Sequence, residues 1–142
     1  MSVEPKELCR SFMEEVLGGG ELDRIDEFVS ADVVEHEEVP GQPPGRDGVR
    51  AFLEMTHAAF PDFRVEIEQL LAEGDTVVIR SRFLGTHEGE FMGIPATGRE
   101  MDMAVIDIVR VADGQIVEHW GISDTMALMQ QLGAIEGPPA AA

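Results

Sequence analysis

The stretch Asp107-Ile-Val-Arg-Val-Ala-Asp-Gly-Gln-Ile-Val-Glu-His-Trp-Gly-Ile-Ser-Asp124 has a carboxylate at each end, with an imidazole and an indole, His119 and Trp120, close to the second. A carboxyl group buried among apolar side chains has its pKa raised and becomes a proton-transfer base near neutrality. Asp124 and Asp107 are the candidates for that chemistry. Asp124 also stands just ahead of Thr125, where a helix is expected to begin. An Asp there commonly accepts backbone N–H bonds as a helix cap, which lowers its pKa instead. Both readings of Asp124 stay open, as do pocket wall and plain core residue for Trp120.

The elements that must position these groups are two strands meeting at Asp113-Gly114, a strong hairpin signal because both residues tolerate positive φ. Alternation puts Trp120, Ile122 and Asp124 on one face of the second strand, and His119, Gly121 and Ser123 on the other. The first strand divides into Met103, Val105, Asp107, Val109 and Val111 against Ala104, Ile106, Ile108 and Arg110. A two-residue turn pairs Ala112 with Gln115 and sets Asp107 opposite Trp120. A three-residue turn with a glycine bulge sets Asp107 opposite His119. Under the first arrangement the Trp120 face, with its two acids, is the expected pocket face, and Asp107 or His119 assists.

Other chemistry-bearing residues are sparser. Val34-Glu-His36-Glu-Glu38 offers a His beside three acids, but adjacent residues of a strand cannot all face one ion, so no metal is expected; His36 is either a pocket or a solvent-facing residue. Arg80 and Arg82 share a strand face and are expected to pair with Glu66 or Glu68 across the sheet. The loop Gly85 to Gly98 is long, and its Phe91, Met92 and Ile94 are too apolar for an idle surface segment. Phe91 is therefore a candidate pocket residue, folded over a cavity mouth or against a second subunit. His87 is expected to hydrogen-bond that loop, and His57 to lie at the surface.

Before these strands the chain reads as three helices. The first begins at Pro5 and carries Leu8, Phe12 and Val16 on its apolar side until Gly18-Gly19-Gly20 stops it. The second is short, with Leu22, Ile25, Phe28 and Val29. The third runs from about Asp47 to Phe60, where Pro61 forbids continuation. Strands follow around Phe63–Glu68 and Val77–Leu84, then the hairpin, then a closing helix from Thr125 to Leu132 ending at Gly133. Three helices, four strands and a helix give an α+β fold, helices on one side of a mostly antiparallel sheet. Residues 1–136 are expected to form one domain, with 137–142 a frayed tail.

The 142 residues are 44 % hydrophobic and 27 % charged, with a net charge of −18. So few basic residues argue against nucleic acid or an anionic membrane as partner. No stretch approaches ~20 consecutive apolar residues, and the N-terminus lacks the basic and apolar regions of a signal peptide; a cytoplasmic location is expected. Cys9 is the sole cysteine, which excludes an intrachain disulfide.

Gly85-Thr-His-Glu-Gly-Glu-Phe-Met-Gly-Ile-Pro-Ala-Thr-Gly98, Ile106-Asp-Ile-Val-Arg110, Asp113-Gly114, Glu118-His-Trp-Gly-Ile-Ser-Asp124 and Gln131-Leu-Gly133, with Phe60-Pro-Asp-Phe63 and Val34-Glu-His36 before them, resemble the SnoaL-like polyketide cyclase family. The resemblance implies a nuclear transport factor 2-like cone, a curved sheet and helices around a deep pocket, commonly dimeric or higher. It implies an intramolecular aldol cyclisation of a hydrophobic carbonyl compound, with no metal or cofactor, and Asp124 matches the family's acid/base position. Trp120 and His36 would line that pocket. The chain has no Tyr, so an oxyanion site built on one is excluded. The rival expectation is a non-catalytic small-molecule-binding or assembly domain of the same fold, in which Asp124 is only a cap.

Overall fold

A computed structural model describes residues 4–36 and 41–136. Helix α1 (Pro5–Ser11) continues as one π-helical segment, Phe12–Leu17, and a 3-10 turn at Leu22–Arg24 leads into the short α2 (Ile25–Phe28). Then come β1 (Val29–Glu35), α3 (Arg46–Ala59), β2 (Arg64–Glu73), β3 (Thr76–Thr86), β4 (Glu100–Ala112), β5 (Gln115–Ser123) and α4 (Thr125–Gln131). The strands form one sheet in the order β1-β5-β4-β3-β2, antiparallel except where β1 runs parallel to β5. The fold is the α+β arrangement expected from the pattern, with one strand more.

That strand, β1, is hard to see in the sequence because its apolar residues do not alternate. Its register with β5 shifts between Val29 and Val34, so the buried side chains, Val29 and Val33, fall four apart. This spacing reads as the end of a helix followed by a loop. The other strands keep period two: Val77, Ile79, Ser81 and Phe83 of β3, and Met103, Val105 and Val109 of β4, are buried against the helices. Their intervening neighbours face out. Arg80 pairs with Glu68 at 3.2 Å and Arg82 with Asp102 at 2.7 Å on that outer surface.

The β4–β5 hairpin turns at Asp113 (φ 52°) and Gly114 (φ 74°), with Ala112 opposite Gln115, so the turn has two residues. The register beyond it matches neither expectation. Val111 faces Ile116 but Arg110 faces Glu118, which leaves Val117 as an extra residue in β5. This bulge reverses the alternation: Ile116 points inward, and so does His119, three residues on. Asp107 then lies opposite Gly121 and Val109 opposite His119. Facing residues of an antiparallel pair share a face, so the inward face of β5 belongs to His119 and its outward face to Trp120.

Around this sheet the remaining parts are locked by polar contacts. Helix α4 is fastened to the edge of β4 by Gln131, whose side-chain oxygen accepts the Asp102 N–H at 2.8 Å and whose amide donates to the Asp102 carbonyl at 2.9 Å. His57 donates from Nε2 to the Leu17 carbonyl at 2.7 Å and sets its edge on Phe63; it ties α3 to the end of the first helix rather than lying free at the surface. In the long loop, Glu88 and Gly89 both donate to the Ala59 carbonyl at 3.0 Å. A side chain at Gly89 would meet the Ala58 carbonyl at 2.6 Å, so glycine is required for that approach. His87 is fully buried, its Nδ1 bonded to the Thr97 hydroxyl at 2.9 Å.

Replacing Gln131 by Ala removes both bonds to the β4 edge. The expected cost is about 1 kcal/mol, read as a lowered midpoint in urea unfolding, with Gln131→Glu costing a comparable amount because it can accept but not donate.

Candidate active site

Apolar side chains from the helices and from the inward faces of the strands do not fill the space between them. They enclose a cavity of about 350 Å³, walled by Phe12, Met13, Val29, Phe52, Phe91 and Val109 among others. Among the described residues no Lys or Arg lines it. Its charged groups are Glu35, Asp107 and His119.

These three groups come from three adjacent strands and form one chain of hydrogen bonds. His119, on β5, lies between β1 and β4. Its Nε2 donates to Asp107 Oδ1 at 2.7 Å, and its Nδ1 to Glu35 Oε1 and Oε2 at 2.7 and 2.8 Å. An ionised carboxylate can only accept, so both ring nitrogens must carry protons and the ring is an imidazolium. Burial pulls the His119 pKa down, but the bonds to Asp107 and then to Glu35 outweigh it and push it up to about 10. The ion pairs are short, and they need to be, since burying charge costs several kcal/mol per ion unless partners replace the lost water.

Asp107 keeps a second oxygen in reserve. Its Oδ1 takes the imidazolium, while Oδ2 accepts no hydrogen bond from the described residues. The residue opposite on β5 is Gly121, so no side chain from that strand covers the carboxylate, while its neighbour on β3 is Ile79. Asp107 is 13 % exposed and lines the cavity. Cys9 of α1 lines the same space; burial first, and then the charge of Asp107, push its thiol up to about 12. It is therefore a neutral, unreactive thiol at ordinary pH.

Phe91, Asp107 and His119 line the cavity; Trp120 and His36 do not. Here the expected pocket face must be corrected, because the Val117 bulge and the parallel pairing of β1 turn Trp120 and His36 to the outer surface together. Their rings stack there with centroids 4.7 Å apart and planes 4° from parallel. His36 Nε2 meets Glu118 Oε2 at 2.7 Å, and Arg110 reaches Glu118 Oε1 at 3.0 Å. Those bonds hold the Glu118 carboxyl below its ordinary range.

Asp124 is exposed and does not line the cavity. Its Oδ1 accepts the Ala127 N–H at 3.1 Å, so the carboxylate caps α4. Among the described residues no three His, Cys, Asp or Glu side chains are placed to hold a metal ion; Glu37 and Glu38 lie outside them. Glu35, the third member of this half-buried chain, had no clear signal in the sequence beyond sitting one residue before His36, because it depends on recognising β1 as a strand.

The family profile of SnoaL-like polyketide cyclases matches residues 7–132. The chain is 26 % identical over 125 residues to the aklanonic acid methyl ester cyclase DnrD of Streptomyces peucetius, covering 85 % of this chain and 86 % of that one. It is 26 % identical over 120 residues to the nogalonic acid methyl ester cyclase of Streptomyces nogalater, covering 80 % and 87 %. Among solved structures, TsrD of Streptomyces laurentii superposes with a TM-score of 0.83 at 29 % identity over 91 % of this chain and 94 % of that one. Wild-type IdmH of Streptomyces antibioticus does so with a TM-score of 0.79 at 35 % identity over 92 % and 99 %.

The raised pKa of His119 makes stability depend on pH in a definite direction. A folded-state pKa above the unfolded value of 6.5 stabilises fully below pH 6.5, and the contribution is lost as pH rises toward 10. Wild-type urea midpoints are expected to fall between pH 7 and 9, where His119→Asn shows no comparable fall. Cys9 adds a further loss only above its ordinary value of 9.0.

Proposed function

The chain belongs to the SnoaL-like polyketide cyclase family, and from that premise we propose a cofactor-independent cyclase in which Asp107, partnered by His119, moves the proton. The observation that carries this reading is the Asp107 carboxylate itself, which lines the apolar cavity and is bonded through Oδ1 alone to the imidazolium. In the proposed reaction Oδ2 takes a proton from a carbon next to a carbonyl group. The resulting enolate carbon attacks a second carbonyl of the same molecule, a carbon–carbon bond forms, and the proton returns from Asp107 to the new alkoxide. General base catalysis of this kind contributes about 10²–10⁴-fold. The cavity supplies a dry setting and holds the chain folded for ring closure.

The substrate that fits is hydrophobic and uncharged. A free carboxylate would enter an apolar space with no cation but the already paired His119, at a cost that favours a masked acid. Two relatives are named for methyl esters, which is the same chemistry. Asp124 is assigned to helix capping in this reading and Trp120 to the outer surface.

Assembly follows from that outer surface. Val34, Ile106, Ile108, Trp120 and Ile122 lie together across β1, β5 and β4, with Ile122 77 % exposed. Contiguous apolar patches of this kind mark interaction sites. The same face carries Arg80, Arg82 and Arg110 paired with Glu68, Asp102 and Glu118, a local balance in a chain of net charge −18. A second copy can approach it without strong repulsion, and a homodimer through this face is proposed.

Two experiments test the reading. Asp107→Asn is expected to lower turnover of aklanonic acid methyl ester or another active ester by ~10²-fold or more with the fold intact, whereas Asp124→Ala keeps turnover and costs about 1 kcal/mol of stability. The reverse pattern would return the chemistry to Asp124. In sedimentation velocity the wild type is expected to run as a dimer and Ile122→Arg as a folded monomer; a wild type that stays monomeric at every loading concentration would exclude the assembly.

A further inference from the structure

His119 is held from both sides, yet only one of its carboxylates is free to react. Asp107 spends one oxygen on the ring, while Glu35 turns both of its oxygens to Nδ1, at 2.7 and 2.8 Å. Glu35 arrives on β1, which runs parallel to β5 and whose register places it directly beside His119. The next residue, His36, is anchored outside by Trp120 and Glu118, and its N–H donates to the His119 carbonyl at 3.0 Å. The ladder between β1 and β5 is thus pinned at the point where Glu35 meets the ring.

We propose that Glu35 is a positioning residue: it keeps His119 doubly protonated and fixed against Asp107 Oδ1, and balances the ring's charge so that Asp107 can receive a proton. The physical need for it is plain. An imidazolium 2.7 Å from a single carboxylate opposes that carboxylate's protonation, since an opposite charge at this distance favours the ionised form. With Glu35 present the ring and Glu35 together are neutral, and the two carboxylates and one imidazolium leave the site one negative charge to neutralise. Without it, the ring either imposes its full charge on Asp107 or gives up a proton and turns.

Among the described residues, the charged and titratable groups facing the ring are Glu35 from β1 and Asp107 from β4, while Cys9 from α1 faces Asp107. Two carboxylates make the His119 titration the readout, and the proposal depends on the Asp107 reading only for its consequence in catalysis. The chain has four histidines, so the His119 ring can be assigned in a 15N spectrum by comparison with His119→Asn. In the wild type both ring nitrogens are expected to stay protonated through pH 8.5. In Glu35→Gln, which keeps size and an acceptor but removes the charge, the His119 midpoint is expected to drop by more than one pH unit, with Glu35→Asp restoring part of it. Should Glu35→Gln fail to fold, Glu35→Asp carries the test, its midpoint lying below the wild type's. A midpoint unchanged in the folded variants would overturn the proposal. Loss of the base reading would show separately, as full turnover in Asp107→Asn.

Discussion

The structure turns on one half-buried imidazolium. His119 sits in an apolar cavity where a lone charge would be expelled, and it is kept there by carboxylates on either side, Asp107 from β4 and Glu35 from β1. Each partner sits on a strand flanking β5, so the electrostatic demand of one ring fixes the lateral order of three strands at that level. The Val117 bulge is the backbone counterpart of this demand. Without the extra residue, alternation would turn the indole of Trp120 inward and the imidazole out, and the two acids would lose the cation between them.

Much of the fold was legible in the sequence. Period-two runs in β3 and β4, the Asp113-Gly114 turn, Pro61 after α3 and Gly133 after α4 each state a local rule that the chain obeys. Local division of faces in β5 was also readable, since Trp120 and His119 do lie on opposite sides. What could not be read was which side is inside. That depends on a one-residue bulge, and no residue type in Ile116-Val117-Glu118 announces it. The parallel strand β1 was hidden for a related reason: its buried residues are four apart, and parallel pairing with β5 links positions about 85 residues away in the chain. Glu35 could not be found without it. Asp124 carried two readings from sequence, and its bond to the Ala127 N–H is the capping geometry.

Division of labour across the sheet follows from the same alternation. Successive residues at the end of β1 and along β5 serve two surfaces: Glu35 and His119 face the cavity, while His36, just past β1, and Trp120 stack outside. The inner pair is ionic and enclosed by apolar walls. The outer pair is aromatic and surrounded by balanced surface charge. A change on one surface therefore bears on the other through a shared backbone ladder, and the exposed apolar face lies directly behind the site where chemistry is proposed.

The central claim is that the reacting carbon meets Asp107. A crystal structure with a methyl ester substrate or its cyclised product bound tests it most directly. The account predicts the acidic carbon, or the new hydroxyl, within about 3.5 Å of Asp107 Oδ2, with the ester among the apolar walls near Phe91. A ligand seated with that carbon against Asp124, or on the outer face beside Trp120, would contradict it.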